Sequence, residues 1–193
     1  MRKTLKLLIA VCMAVPLALT LGSFQPAAAQ TAERRTLSDL VTADRVPGRA
    51  ATQQCHSNVI ITSLANNLLV SAELGYGGGD YAMLRARASA VGPWELYTVC
   101  FGSTYDTITS QANNLLVSAE LGYGGGDYAM LRARASAIGP WEQFWITSCG
   151  SGCVTITSLA NGLLVSAELG YGGGDYAMLR ARAGALGPWE RFA

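Results

Sequence analysis

From residue 84 to residue 89 apolar and polar positions alternate one for one, Leu84, Ala86 and Ala88 against Arg85, Arg87 and Ser89. A period of two belongs to a strand; on a helix Arg85 and Arg87 would point about 200° apart and no apolar stripe would form. Residue propensity argues the other way, since Ala, Leu, Met and Arg are good helix formers. The run Gly77-Gly78-Gly79 just upstream breaks any continuous helix, so the pattern predicts strands. The neighbouring segments complete a four-strand unit. Ile60 to Leu64 is the first strand and Leu68 to Glu73 the second, with Val70 and Ala72 inward. Tyr81 to Ala88 is the third and Trp94 to Val99 the fourth. The turn Ala65-Asn66-Asn67 suits the positive φ that Asn tolerates, and Asn161-Gly162 is a stronger hairpin signal still. The loop Leu74 to Asp80 and the turn Ala90 to Pro93 make the other connections.

The unit occurs three times. LLVSAELGYGGGDYAMLRARA begins at Leu68, Leu115 and Leu163 without a change, 47 and then 48 residues apart, and Gly-Pro-Trp-Glu follows from Gly92, Gly139 and Gly187. Three units of four strands make twelve, and a barrel closed by the third repeat against the first has no open sheet edge. A helical repeat of this period fails on the alternation. A three-bladed propeller would fall below the usual blade counts.

The motif ITS-x-A-N-N/G-x-x-V-S-A-E, then a glycine-rich loop, L-x-A-x-A and finally G-P-W-E with an aromatic two residues on, covers about Ile60 to Ala193. This set resembles the fascin-like β-trefoil family. The resemblance implies an all-β fold, a twelve-stranded barrel with a cap and pseudo-threefold symmetry. It places that domain at 55–193, with repeats at about 55–101, 102–149 and 150–193. It also implies a non-enzymatic binding or cross-linking role, and, because eukaryotic members bundle actin, a protein filament as one class of partner. One position departs from the family. Where relatives carry a polar residue after the Asn-Gly turn, this chain has Leu68, Leu115 and Leu163, an apolar ring that either binds something or packs under residues 30–54.

Upstream the texture changes. Residues 1–29 have the form of a secretory signal: Arg2, Lys3 and Lys6, an apolar run from Leu7 to Leu21, and a small-residue site at Ala27-Ala28-Ala29. Cleavage is expected after Ala29, giving a secreted, extracellular chain without a membrane anchor. Residues 30–54 are a polar leader in which Leu37, Leu40 and Val41 form a short amphipathic turn with Thr36 or Ser38 as cap.

Charge narrows the partners. Without Arg2, Lys3 and Lys6 the chain keeps 11 basic against 13 acidic residues and no lysine. It lacks the basic stripe that phosphate backbones require, so nucleic acid and anionic membrane surfaces are poor partners. Export also argues against actin itself.

Four cysteines remain: Cys55, Cys100, Cys149 and Cys153. An even count in an oxidising compartment predicts two disulfides, with three connectivities open. In the trefoil that the resemblance implies, the first and fourth strands of a repeat are neighbours, which pairs Cys55 with Cys100 and Cys149 with Cys153. A zinc site is not expected, because His56 beside Cys55 and the Cys149-x-x-x-Cys153 spacing do not form a usual four-ligand set.

No catalytic constellation is present in the pattern. His56 is the sole histidine and lies outside the shared motif that begins at Ile60, so serine-type nucleophilic chemistry has no base. Glu73 and Asp80 are carboxylates that nothing in the sequence sets up as an acid and base pair. GYGGGDY matches neither a dinucleotide fingerprint nor a phosphate loop, so no cofactor is expected. Each loop does bring two tyrosines beside a carboxylate: Tyr76, Asp80 and Tyr81; Tyr123, Asp127 and Tyr128; Tyr171, Asp175 and Tyr176. Aromatic faces next to a hydrogen-bond acceptor suit a sugar ring, and these nine residues are the candidate ligand-binding set. A polysaccharide or glycoprotein is the expected partner, with three sites on a monomer. The pairs Arg85 and Arg87, Arg132 and Arg134, Arg180 and Arg182 are expected on the outward face in solvated ion pairs. Trp94, Trp141 and Trp189 are expected as plugs at one end of the barrel.

Overall fold

The hairpin turns form where the asparagines predict them. Asn67 and Asn114 adopt φ of 57°, and Gly162 takes the same place in the third repeat at 71°. The preceding asparagine fastens each turn. Asn66 Nδ2 donates to the Ala86 carbonyl at 2.8 Å while its Oδ1 accepts from the Leu68 amide at 3.1 Å. Asn113 and Asn161 repeat both bonds.

The computed structural model describes residues 33–44 and 53–193. The secretory signal expected at residues 1–29 and the parts of the leader at 30–32 and 45–52 lie outside the described residues. In chain order the elements are β1 (Arg35–Thr36), α1 (Leu37–Asp44), β2 (Gln54–Ile60), β3 (Thr62–Ser63), β4 (Leu68–Glu73), β5 (Met83–Ala88), β6 (Tyr97–Phe101) and β7 (Thr107–Ser110). There follow β8 (Leu116–Glu120), β9 (Met130–Ala135), β10 (Phe144–Gly150), β11 (Cys153–Ser158), β12 (Leu164–Glu168) and β13 (Met178–Ala183).

These thirteen strands differ from the expected twelve for local reasons. The first strand of repeat one is divided into β2 and β3, and β1 of the leader pairs in parallel with β2. The twelfth strand is reduced to bridges from Phe192 to Ser63 and to Val154. That short contact closes the barrel: Ala193 and Thr62 exchange backbone bonds at 2.8 and 2.9 Å, so the third repeat joins the first. Strand four starts at Tyr97 rather than Trp94, because Pro93–Glu95 is a 3-10 turn. Strand three starts at Met83 rather than Tyr81, because Gly78–Asp80 is another such turn and Ala82 sits at φ of 59°.

Ala82, Ala129 and Ala177 share that left-handed conformation, which is unfavourable for a residue with a Cβ. It turns each carbonyl towards a neighbouring repeat. Ala133 donates to Ala82, Ala181 to Ala129 and Ala86 to Ala177, all at 2.8 Å. The three β4–β5 type hairpins thus form a ring in which β5, β9 and β13 pair with one another. This ring is the cap.

Beneath it lies one core cluster. Val70, Ala72, Leu84, Ala86 and their counterparts in the other repeats meet Tyr97, Phe144 and Phe192 from the tail of each Gly-Pro-Trp-Glu block, all essentially inaccessible to solvent. The leader contributes to the same core. Leu37, Leu40 and Val41 of α1 are buried in it, and Thr36 caps the helix by accepting from the Asp39 amide at 3.3 Å. Leu68, Leu115 and Leu163 are half-buried.

Both expected disulfides are present. Cys55 and Cys100 face each other across β2 and β6, and Cys149 and Cys153 close the β10–β11 hairpin. Two disulfides are typical of proteins that mature in an oxidising compartment. Among the described residues no helix is long and apolar enough to cross a membrane.

Candidate functional site: the three glycine-rich loops

The loop from Leu74 to Asp80 leaves β4 and returns through the 3-10 turn Gly78–Asp80, with Gly78 at φ of 60°. Gly125 and Gly173 occupy the same place at 62° and 60°, so a glycine is needed once per loop for the turn itself.

Below the loop, Glu73 at the end of β4 is buried and accepts two hydrogen bonds from Arg87, from Nε and Nη2. Glu120 with Arg134 and Glu168 with Arg182 repeat the pair. The bond to the carboxylate holds the Arg87, Arg134 and Arg182 guanidiniums above their usual range, against the opposing effect of burial. The same arginines reach the loop tyrosines: Nη2 donates to the hydroxyls of Tyr76, Tyr123 and Tyr171 at 2.9, 3.0 and 2.8 Å.

The inner arginines are a correction to the sequence reading. Arg85, Arg132 and Arg180 are not on a solvated face; they are 0–1% exposed. Alternation does place them opposite Leu84, Leu131 and Leu179, but the loops cover that side of the cap. Arg132 Nε donates to the Tyr81 carbonyl at 2.8 Å and its Nη2 to Gly78 at 3.0 Å, tying the loop of repeat one to repeat two. Arg85 and Arg180 instead lie over the rings of Tyr76 and Tyr171, at 4.9 and 5.1 Å from the centroids.

The candidate residues therefore separate. Tyr76, Tyr123 and Tyr171 stand at the surface, each with its hydroxyl engaged by an arginine. Tyr81, Tyr128 and Tyr176 are half-buried and pack against the core. Asp80, Asp127 and Asp175 are exposed at the loop tips. Asp80 and Asp127 have no side-chain partner among the described residues, while Asp175 lies 4.0 Å from Arg180.

Tryptophan belongs to this surface, contrary to the expectation of a barrel plug. Trp94, Trp141 and Trp189 are 38–39% exposed and stand outside the core cluster. The six-membered ring of each lies on the glycine that precedes the loop tyrosine. Its outer carbon is 3.2, 3.2 and 3.1 Å from where a Cβ would stand on Gly75, Gly122 and Gly170. Their indole N–H groups have no partner among the described residues. The proline before each tryptophan, Pro93, Pro140 and Pro188, was the available signal of a turn there rather than a strand start.

Each repeat thus offers an exposed indole face, one open face of a clamped tyrosine, an indole donor and a carboxylate acceptor. Among the described residues no group of three or more His, Cys, Asp or Glu side chains could hold a metal ion.

Solved structures place this architecture. A designed threefold-symmetric protein, ThreeFoil, superposes with a TM-score of 0.58 at 13% identity, over 69% of this chain and 94% of its own. The fold is a β-trefoil. A salivary protein of the cysteine and tryptophan-rich family from a Culex mosquito matches with a TM-score of 0.56 at 14% identity, covering 74% of this chain and 93% of that one. An exo-β-1,3-galactanase from Clostridium thermocellum gives a TM-score of 0.56 at 14% identity, over 69% of this chain but 28% of its own. At such identities the likeness concerns the trefoil alone. No family model matches the chain, and no curated protein matches it in sequence.

Proposed function

We propose that this chain is a non-catalytic glycan-binding module with three near-equivalent sites, one on each glycine-rich loop. The observation that carries the reading is the surface of each loop: an exposed tryptophan with an unpaired indole N–H lies on the same loop that ends in an exposed aspartate. A pyranose has an apolar face for the indole and hydroxyls that donate to a carboxylate and accept from an N–H. Rigid rings already held by the fold lose little entropy on binding.

The trefoil neighbours are compatible with this role, since one of them is a galactanase in which the matched part is 28% of the chain. Three equivalent sites on one monomer suit a partner with repeated sugars, because each further engagement is intramolecular once the first has formed.

The test is a glycan array with the disulfide-oxidised chain, beside a triple Asp80→Ala, Asp127→Ala, Asp175→Ala variant and a triple Trp94→Ala, Trp141→Ala, Trp189→Ala variant. Binding by the wild type that both variants lose is the expected result. A wild type that binds no glycan overturns the proposal. Binding that survives both sets of changes moves the site away from the loops.

A further inference from the structure

The three inner arginines pose a separate problem of charge. Arg132 stands directly across the sheet from Met83, Arg180 from Met130 and Arg85 from Met178. Residues directly opposite in an antiparallel pair project from the same face, and Met83, Met130 and Met178 form one buried cluster. The three arginine side chains therefore start around a single point, the centre of the cap, under the glycine-rich loops.

Their partners do not suffice. Each repeat supplies one buried carboxylate to its arginine pair, Glu73, Glu120 or Glu168, and the outer arginine already takes both of its oxygens. The inner arginines share what remains, at 3.5, 3.4 and 2.8 Å. Six guanidiniums thus share three glutamates, while the other buried glutamates, Glu95, Glu142 and Glu190, accept from the amides of Gly92, Gly139 and Gly187. The loop aspartates are exposed, and of the three Asp175 alone, among the described residues, comes within 4.0 Å of an inner arginine. Arg132 completes its bonding through loop carbonyls. Nη1 and Nη2 of Arg85 and Nε and Nη2 of Arg180 are buried without an acceptor among the described residues. A charged donor left without an acceptor away from water is strongly unfavourable.

We infer that the cap binds, beside its methionine cluster and under the loops, one tetrahedral oxyanion of the sulfate or phosphate class, held by the free forks of Arg85 and Arg180. Guanidinium forks match such oxygens bidentately. Two free forks, Nη1 with Nη2 of Arg85 and Nε with Nη2 of Arg180, match the four oxygens of a tetrahedral ion, whereas a carboxylate presents two. Because the arginines are 0–1% exposed, the ligand is the small free ion and not a sulfated polymer, and it enters by opening of the glycine-rich loops. The site is independent of the glycan surface outside it, and it would tie the first and third repeats as Arg132 ties the first and second.

The test uses the whole oxidised chain, freed of sulfate and phosphate and kept in a chloride buffer. Calorimetric titration with sodium sulfate, and separately with sodium phosphate, is expected to show saturable binding of one ion per chain. Thermal unfolding should shift upward at low millimolar sulfate and not in sodium chloride of matched ionic strength. Single variants Arg85→Gln and Arg180→Gln should weaken binding at least ~10-fold, while Arg87→Gln, on the outer row, should leave the one-to-one stoichiometry intact. Should the glutamine variants not fold, Arg→Lys at the same positions, which keeps the charge and loses the fork, serves instead. A heparin fragment is expected not to compete. The absence of saturable binding of either ion overturns the inference. So does a crystal structure grown with sulfate in which all three arginines bond loop carbonyls as Arg132 does and no anion lies between them.

Discussion

The six-membered ring of Trp94 rests on the backbone of Gly75, with its outer carbon 3.2 Å from where a Cβ would stand. Gly75 is therefore set by the tryptophan as much as by the loop, and the same relation joins Trp141 to Gly122 and Trp189 to Gly170. Alanine at position 75 must move the ring by a few tenths of an ångström. Gly75→Ala is expected to cost about 1 kcal/mol, in the range of mild overpacking, and to alter the tryptophan fluorescence of the folded state. Denaturant unfolding followed by that fluorescence measures both, and an unchanged midpoint and spectrum would refute the contact.

Glu73 is a shared counter-charge. Its replacement by glutamine leaves buried Arg85 without a carboxylate and breaks the clamp on Arg87. Removing one partner of a buried ion pair costs about 3–5 kcal/mol, so Glu73→Gln should lose that much. Arg87→Gln should cost less, because Arg87 is one-third exposed and Glu73 keeps buried Arg85 as a counter-charge. Equal losses in the two variants, measured by chemical denaturation, would mean that the inner arginine does not depend on the glutamate.

Tyr97 links stability to alkaline pH. Burial, helped by the negative charges of Glu95 and Glu73, pushes its hydroxyl well above the usual value of 10.0. Above pH ~10 the unfolded chain gives up this proton and the folded chain keeps it, so the unfolded state is favoured. The contribution is fully present below that pH and is lost as pH rises towards the folded-state value. Tyr97→Phe should flatten the fall of the melting temperature between about pH 10 and pH 11.5. At neutral pH it should cost about 1 kcal/mol for the bond to the Val70 carbonyl. Parallel alkaline curves for the two proteins would contradict this assignment.

The two disulfides should contribute unequally. Cys55–Cys100 spans 45 residues and Cys149–Cys153 spans four. Restriction of the unfolded chain grows with loop length, giving about 4 kcal/mol for the first and about 2 kcal/mol for the second. Paired replacement by alanine, with stability read from denaturant midpoints, checks the order. A larger loss from the short bridge would reverse it.

Much of this molecule follows from short-range rules. The three repeats, the strand period at Leu84 to Ala88, the turns at Asn67, Asn114 and Gly162 and the Thr36 cap depend on residues within a few positions of one another, where backbone sterics and side-chain periodicity decide. Burial of the arginines does not. Alternation puts Arg85 opposite Leu84, yet whether that side meets water depends on loops folding back over the cap and on a neighbouring repeat donating bonds to them, as Arg132 does to Tyr81 and Gly78. The division of each loop into an exposed Tyr76 and a core-facing Tyr81, and the placing of Trp94 on Gly75, are likewise set by contacts between segments about five to twenty residues apart. The amino-acid sequence by itself determined the repeat, the strands and the turns. The tertiary structure decided which polar groups are sealed in and which aromatic rings are left for a ligand, because burial is a property of what packs on top of a strand and not of the strand.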